Sequence, residues 1–145
     1  LRERADLARW LRIGEILAMR GEYAAALVEY ARARGESGPS SPLLSNRIAT
    51  ARVGLGDVEN ALGELRDSLK YFPEYALTHE TMGDLLLNKG DSSGALRAYQ
   101  QAVDLDPFSI DAQRALVKLY TKTANKDAAE KHARYLRILE LGGEQ

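Results

Sequence analysis

The chain has 145 residues, 20 of them basic and 21 acidic, giving a net charge of −1 and a pI near 6.2. That balance argues against nucleic acid or an anionic membrane surface as a global partner. Cysteine is absent, which excludes disulfides, thiolate nucleophiles and sulfur metal ligands and leaves the redox compartment open.

No apolar run approaches the roughly 18 residues that a membrane span requires, and no signal-peptide pattern is present. The chain is therefore expected to be soluble, cytoplasmic or periplasmic, without direct membrane insertion. It begins at Leu1 rather than Met and reads as a piece of a longer protein, so missing targeting signals say little about location. Leu1 to Asp6 are charged and extend or precede a first helix, in which Trp10, Ile13, Gly14 and Leu17 recur at helical spacing. Gly21-Glu22 breaks it, and Tyr23 to Ala33 reads as a second, antiparallel helix with Ala26, Tyr30 and Ala33 facing inward.

The segment G-E-S-G-P-S-S-P after Arg34 is the most loop-like in the chain. Ser41 is placed to cap the next helix, with Pro42 at its first position. That helix carries Ile48, Ala49 and Val53, Gly54 to Asp57 makes a turn, and a partner helix carries Ala61, Leu65 and Ser68. Further on, Asp91 is expected to cap a helix after Gly90, and Asp106-Pro107 to cap and start the one that follows. Toward the end Ala124 stands where a turn glycine would be. The last helix is expected to stop at Gly142-Gly143 through a left-handed glycine.

The chain returns on itself. Ala26, Ala61, Ala95 and Ala129 are separated by steps of 35, 34 and 34, and Pro39, Pro73 and Pro107 by steps of 34. A constant step of this size marks stacked helical hairpins, each contacting only its neighbours. The single extra residue must fall between Ala33 and Pro39, in the loop, where an insertion costs least. Gly14 and Gly83 sit in mid-helix, where glycine costs up to about 1 kcal/mol relative to alanine. The cost is tolerable if the missing side chain lets two helices approach, with Ala26 and Ala95 as the small partners expected opposite.

These residues resemble the tetratricopeptide repeat family. Its unit carries a tryptophan-leucine-glycine-tyrosine set on a first helix, alanine-aromatic-alanine on a second, and a closing proline. The match is Trp10, Ile13, Gly14, Leu17, Ala26, Tyr30 and Ala33 in one unit, and His79, Met82, Gly83, Leu86, Ala95, Tyr99, Ala102 and Pro107 in another. The second unit is weaker, with Ser45 and Arg52 for large side chains and Ala49 for glycine. The fourth departs furthest, with Gln113, Val117, Ala133 and Leu136 at patterned places. The resemblance implies an all-α fold, a right-handed α-solenoid of four antiparallel helix-turn-helix repeats at about 7–41, 42–75, 76–109 and 110–143, in a single array spanning 1–145.

Catalytic signals are weak. His79-Glu80 begins like a zinc-protease motif, but Gly83 occupies the place of the second histidine. Gly54-Leu55-Gly56 lacks the third glycine and the preceding strand of a dinucleotide loop. No nucleophile–base spacing is apparent, so no enzyme activity, metal or cofactor is expected.

The resemblance implies instead a protein–protein interaction module that binds a peptide or protein segment on a concave surface lined by first helices. The residues implied to face that groove include Leu11, Glu15, Leu43, Asn46, Thr50, Leu77, Glu80, Asp84, Leu87, Arg114 and Lys118. An acidic unit adjoins a basic one: 76–109 has two basic and five acidic residues, 110–143 seven basic and four acidic. Arg114 and Lys118 could grip a ligand carboxylate, or could pair with Glu80 and Asp84 on the neighbouring helix. The carboxylate clamp of chaperone-binding members is missing, because its places hold Leu11, Glu15, Arg47, Leu77 and Thr81. The alternative role is an assembly domain. Leu136 and Leu139 lie on a face that a following helix would cover, and could contact a second copy or the rest of a parent chain.

Overall fold

Most helices begin at a side-chain cap, and the turns inside the hairpins are made by left-handed residues. A computed structural model describes residues 2–35 and 41–143. Among them the secondary structure is helical: α1 (Arg2–Met19), α2 (Tyr23–Arg34), α3 (Pro42–Gly54), α4 (Val58–Tyr71), α5 (Ala76–Asn88), α6 (Ser92–Leu105), α7 (Ile110–Lys122) and α8 (Lys126–Gly142). Of the stretch between Ala33 and Pro39 where the loop insertion is expected, 36–38 lie outside the described residues.

Caps account for most starts. The side chains of Ser41, Asp57, Asp91, Ser109 and Asn125 each accept a backbone N–H from the first turn of the helix that follows, satisfying a donor that helix geometry leaves unpaired. The expected start of α7 at Asp106-Pro107 is corrected by three residues. Asp106 accepts from the Phe108 N–H at 3.1 Å, Pro107 and Phe108 make a turn, and Ser109 is the N-cap. The expected left-handed glycine at the end of α8 is also corrected, since Gly143 has φ −79°.

The turn inside each hairpin uses a left-handed residue: Gly21, Gly56 and Gly90 have φ of 78°, 80° and 85°, and Ala124 has φ 58°. The fourth turn therefore keeps its shape without the residue that adopts it freely.

The chain divides into two compact units, Leu1–Pro73 and Glu74–Gln145, each holding two helical hairpins. In the first, buried Ala26, Tyr30, Ala33, Leu44, Ile48 and Ala51 form one cluster, with Trp10, Leu11 and Leu17 packed on it. Leu62 and Leu65 are fully buried in the same unit, each worth about 1.5–3 kcal/mol of transfer free energy. Arg34 on α2 grips Glu64 on α4 with both terminal nitrogens of its guanidinium. In the second unit the core is Ala95, Tyr99, Ala102, Val103, Ala112, Leu116 and Leu119.

The space beside the mid-helix glycines is filled by aromatic rings. A Cβ placed on Gly83 would lie 2.8 Å from Cε1 of the Tyr99 ring, and one on Gly14 would press into the Tyr30 ring. What lies nearest these glycines is a tyrosine ring, and Ala26 and Ala95 are fully buried in the same hairpins. One repeat along, the equivalent pairs are Ala49 with Leu65 and Val117 with Ala133. As the first member grows, the second shrinks, which keeps the local volume roughly constant.

In the last hairpin, His132 is buried and its Nδ1 lies 2.7 Å from Oε1 of Gln113. Gln113 Nε2 donates to the Pro107 carbonyl at 3.0 Å. That orients the amide and makes Nδ1 the protonated nitrogen of a neutral imidazole. The ring stacks on Tyr120 with centroids 5.6 Å apart. Burial, helped by Lys131 and opposed by Asp104, lowers its pKa from the ordinary value of 6.5.

Three outcomes follow from this packing. Gly83→Ala should cost about 1–3 kcal/mol, measured by urea unfolding. Adding Tyr99→Leu, which recreates the Ala49–Leu65 pairing, should recover more than half of that. Ala124→Gly should stabilise by about 0.5–1 kcal/mol, the left-handed strain relieved less the extra chain entropy of glycine. For His132 the unfolded chain takes up a proton below about pH 6.5 while the folded chain resists it. Its contribution is thus complete above that pH and is lost as pH falls toward the depressed folded value. His132→Gln should flatten the stability decline between pH 7 and 5, and an unchanged slope would contradict this account.

Candidate functional site

The residues implied to face a groove do not share one fate. Asn46 is buried, and its Nδ2 donates to the Pro42 carbonyl one turn back at 2.7 Å. Leu11 packs against the core of the first unit. These two positions serve folding: Asn46 satisfies helix backbone and Leu11 adds buried apolar surface. Leu43 is half-buried. Thr50 is exposed, with its hydroxyl donating to the Asn46 carbonyl at 2.9 Å.

In the first unit an open depression of about 610 Å³ lies against α1, α2 and α3. Its polar part is Glu15, which accepts from Nε of Arg47 at 3.1 Å and lies 3.6 Å from Arg12. Tyr30 lines the same depression, and burial together with the Glu15 charge raises its pKa. The apolar part is Ile16, Ala18, Met19 and Tyr23, with Met19 87% exposed and Ile16 49% exposed. Tyr23 is held close by Gly54, where an added Cβ would collide with its ring.

In the second unit a depression of about 540 Å³ is lined from α5, α6 and α7. Asp84 accepts a hydrogen bond from the Tyr99 hydroxyl, so burial and that bond drive the phenol pKa upward. Leu87, Ala115 and Leu119 supply apolar surface, and Asp111, Arg114, Lys118 and Lys122 the charge.

The pairings considered between Glu80 and Arg114, and between Asp84 and Lys118, are not formed. Glu80 instead accepts from the Ser109 hydroxyl at 2.7 Å, tying α5 to the N-cap of α7. Burial raises its pKa against that bond, with Asp111, Asp84 and Asp106 adding to the rise. Arg114 lies 3.5 Å from Asp111 and 3.1 Å from Glu140. Lys118 and Lys122 form no ion pair among the described residues. Leu77 is partly exposed beside this region of α5. On α8, Leu136 and Leu139 are half-buried, and the exposed apolar side chains are Tyr135, Ile138 and Leu141.

Sequence reasoning missed Arg12, Ile16, Met19, Tyr23, Arg47 and Lys122 as lining residues. A signal was present for some: Arg12 and Arg47 stand one residue after Leu11 and Asn46, and Met19 and Lys122 one residue after Ala18 and Thr121. Among the described residues there is no group of three or more His, Cys, Asp or Glu able to hold a metal ion, and no helix long and apolar enough to cross a membrane.

Comparison with known proteins gives concordant findings. The family model described as tetratricopeptide repeat matches residues 46–110 and 80–140. Small glutamine-rich tetratricopeptide repeat-containing protein 2 of Mycosarcoma maydis is 29% identical over 86 residues, 59% of this chain and 24% of that protein. TPR repeat-containing thioredoxin TTL4 of Arabidopsis thaliana is 30% identical over 95 residues, 66% of this chain and 14% of that protein. The chain thus spans a quarter or less of the curated relatives it matches.

Among solved structures, MamA from Desulfovibrio magneticus RS-1 superposes with a TM-score of 0.77 at 21% identity, over 96% of this chain and 78% of that one. The Sgt2 TPR domain from Aspergillus fumigatus superposes with a TM-score of 0.73 at 21% identity, over 83% of this chain and 81% of that one. At such identities the structures speak to fold alone, the all-α solenoid of helical hairpins. With a family model covering most of the sequence and the hairpin repeat seen in the structure, the chain belongs to the tetratricopeptide repeat family and is a protein–protein interaction module.

Proposed function

We propose that the chain is a non-catalytic module that holds an extended or helical segment of a protein partner. Such a segment lies against the face lined by α1 and α3 in the first unit, or against that lined by α5 and α7 in the second. The observation that carries this reading is the clustering of exposed side chains at two open depressions, one in each unit. Glu15 and Thr50 line the first, and Asp84, Leu87, Arg114 and Lys118 the second. Apolar surface beside charged groups in a concavity is what peptide recognition uses: the apolar part supplies affinity, and the charges fix register. Neither depression sets a nucleophile beside a base, so binding rather than chemistry is the work they suit.

A second reading, docking or dimerisation through the last helix, is favoured by Tyr135, Ile138 and Leu141, all exposed on α8. Three apolar side chains left in water along one helix are commonly a contact.

The two readings separate in one set of variants. Leu87→Asp with Lys118→Glu should reduce capture of partner proteins by the immobilised chain at least tenfold. Unfolding free energy should stay within about 0.5 kcal/mol, as for surface substitutions generally. Ile138→Asp should leave capture unchanged. The reverse pattern, with self-association by sedimentation velocity that Ile138→Asp abolishes, would instead support assembly.

A further inference from the structure

We infer that the chain carries two separate and equivalent sites for acidic–apolar peptide segments, one in each unit. This rests on the groove reading above and adds the ligand class and the number of sites. Four observations on each side carry it.

The first is position. Gly14, Glu15 and Tyr30 in the first unit are equivalent by repeat step to Gly83, Asp84 and Tyr99 in the second. In each unit the tyrosine lies over the glycine, and it lines a depression together with the carboxylate that follows the glycine. The intervening repeats carry Ala49, Thr50 and Leu65, and Val117, Lys118 and Ala133. Neither set supplies the carboxylate or the tyrosine. The site therefore recurs every second hairpin, and the chain holds two.

The second is apolar surface. Ile16, Met19 and Tyr23 line the first site, and Leu87 and half-buried Ala115 the second, over the buried Leu119. Met19 is 87% exposed, the most of any large apolar side chain among the described residues, and Leu87 is 40% exposed. Each site thus offers apolar area that an aliphatic side chain would cover.

The third is charge. In the first site two guanidinium groups, Arg12 and Arg47, share the single carboxylate of Glu15. In the second, Arg114 is matched by Asp111 and Glu140, while Lys118 and Lys122, one helical turn apart on α7, have no ion-pair partner among the described residues. Counted over the lining residues, each site has one cation more than its anions: Arg12 and Arg47 against Glu15, and Arg114, Lys118 and Lys122 against Asp84 and Asp111, an excess that favours a ligand carboxylate over a basic segment.

The fourth is the way the built-in carboxylates are held. Asp84 is taken up by the Tyr99 hydroxyl, and Glu15 by Arg47 at 3.1 Å. Each is anchored within its own unit, so that a ligand carboxylate meets Lys118 and Lys122 in the second site and competes with the one Glu15 for two guanidinium groups in the first.

The test uses the whole chain and two capped hexapeptides, one alternating glutamate with leucine and one alternating lysine with leucine. Titration should be followed through the backbone amide resonances of Glu15 and Thr50 for the first site, and of Leu87 and Lys118 for the second. The glutamate–leucine peptide should shift both sets, saturate at two peptides per chain by calorimetry, and weaken at least fivefold between 50 and 300 mM salt (both on the order expected for screened, partly exposed charges). Arg47→Glu should silence the first set alone, and Lys118→Glu the second alone. The lysine–leucine peptide should move neither. Saturation at one peptide per chain, or loss of both sets with either variant, overturns the claim of two sites. Binding of the lysine–leucine peptide in place of the other overturns the ligand class while leaving the groove reading intact. Silence of every reporter with both peptides overturns the inference and the groove reading together.

Discussion

The contact on which the rest depends is an aromatic ring lying on bare helix backbone. At Gly14 and Gly83 there is no room for even one carbon, because Tyr30 and Tyr99 occupy the space it would take. Both tyrosines are buried, and rings of this size dominate the burial of a small core. Each hairpin of this kind therefore closes around one large residue set into one absent one. Glycine in mid-helix is unfavourable locally, and only the ring packed against it makes the choice sensible.

That packing also shapes the surface. Each tyrosine lines a depression together with the residue that follows the glycine. In the second unit that residue is Asp84, and the hydroxyl donates to it. In the first it is Glu15, whose charge acts on Tyr30 and whose oxygens meet Arg47. The site is thus continuous with the core: the groups that could meet a ligand are oriented by the groups that fold the hairpin. The other two hairpins solve the same packing problem with Ala49 and Leu65, and with Val117 and Ala133. Without a polar tip on the second-helix residue, they build no equivalent site.

Buried polar groups tie hairpins together by a related logic. Ser109 caps α7 and also donates to Glu80 on α5. Gln113 bridges the Pro107 carbonyl and His132. Ser109 and Glu80 are half-buried, whereas Gln113 and His132 are buried and could not be left unsatisfied at less than the cost of a lost hydrogen bond. Such residues look like departures from the repeat pattern, as Gln113 does where Trp10 stands in the first unit, yet they are fully used.

The repeat step, the hairpins, the caps at Ser41 and Asp91 and the mid-helix glycines were legible from residues alone, because each rests on local geometry or on a period within one chain. The start of α7 was not, since Asp106 and Ser109 are both competent caps and only the turn at Pro107-Phe108 selects between them. Nor could spacing say that the glycines face tyrosines, or that Asn46 points inward while Arg47 lines a depression. A one-residue difference on a helix turns a side chain by about 100°, and small tilts between packed helices settle which side of that turn is solvent. The ion pairs were the least legible. Arg114 had Glu80 and Glu140 on neighbouring helices and Asp111 one turn back on its own, and the packing of α8 on α7 brought it to Glu140 beside Asp111. Sequence by itself determined the family, the period and where the backbone must bend. Tertiary structure alone decided which charges neutralise one another and which stay available, because long flexible side chains choose partners by the distance between helices rather than by their order in the chain.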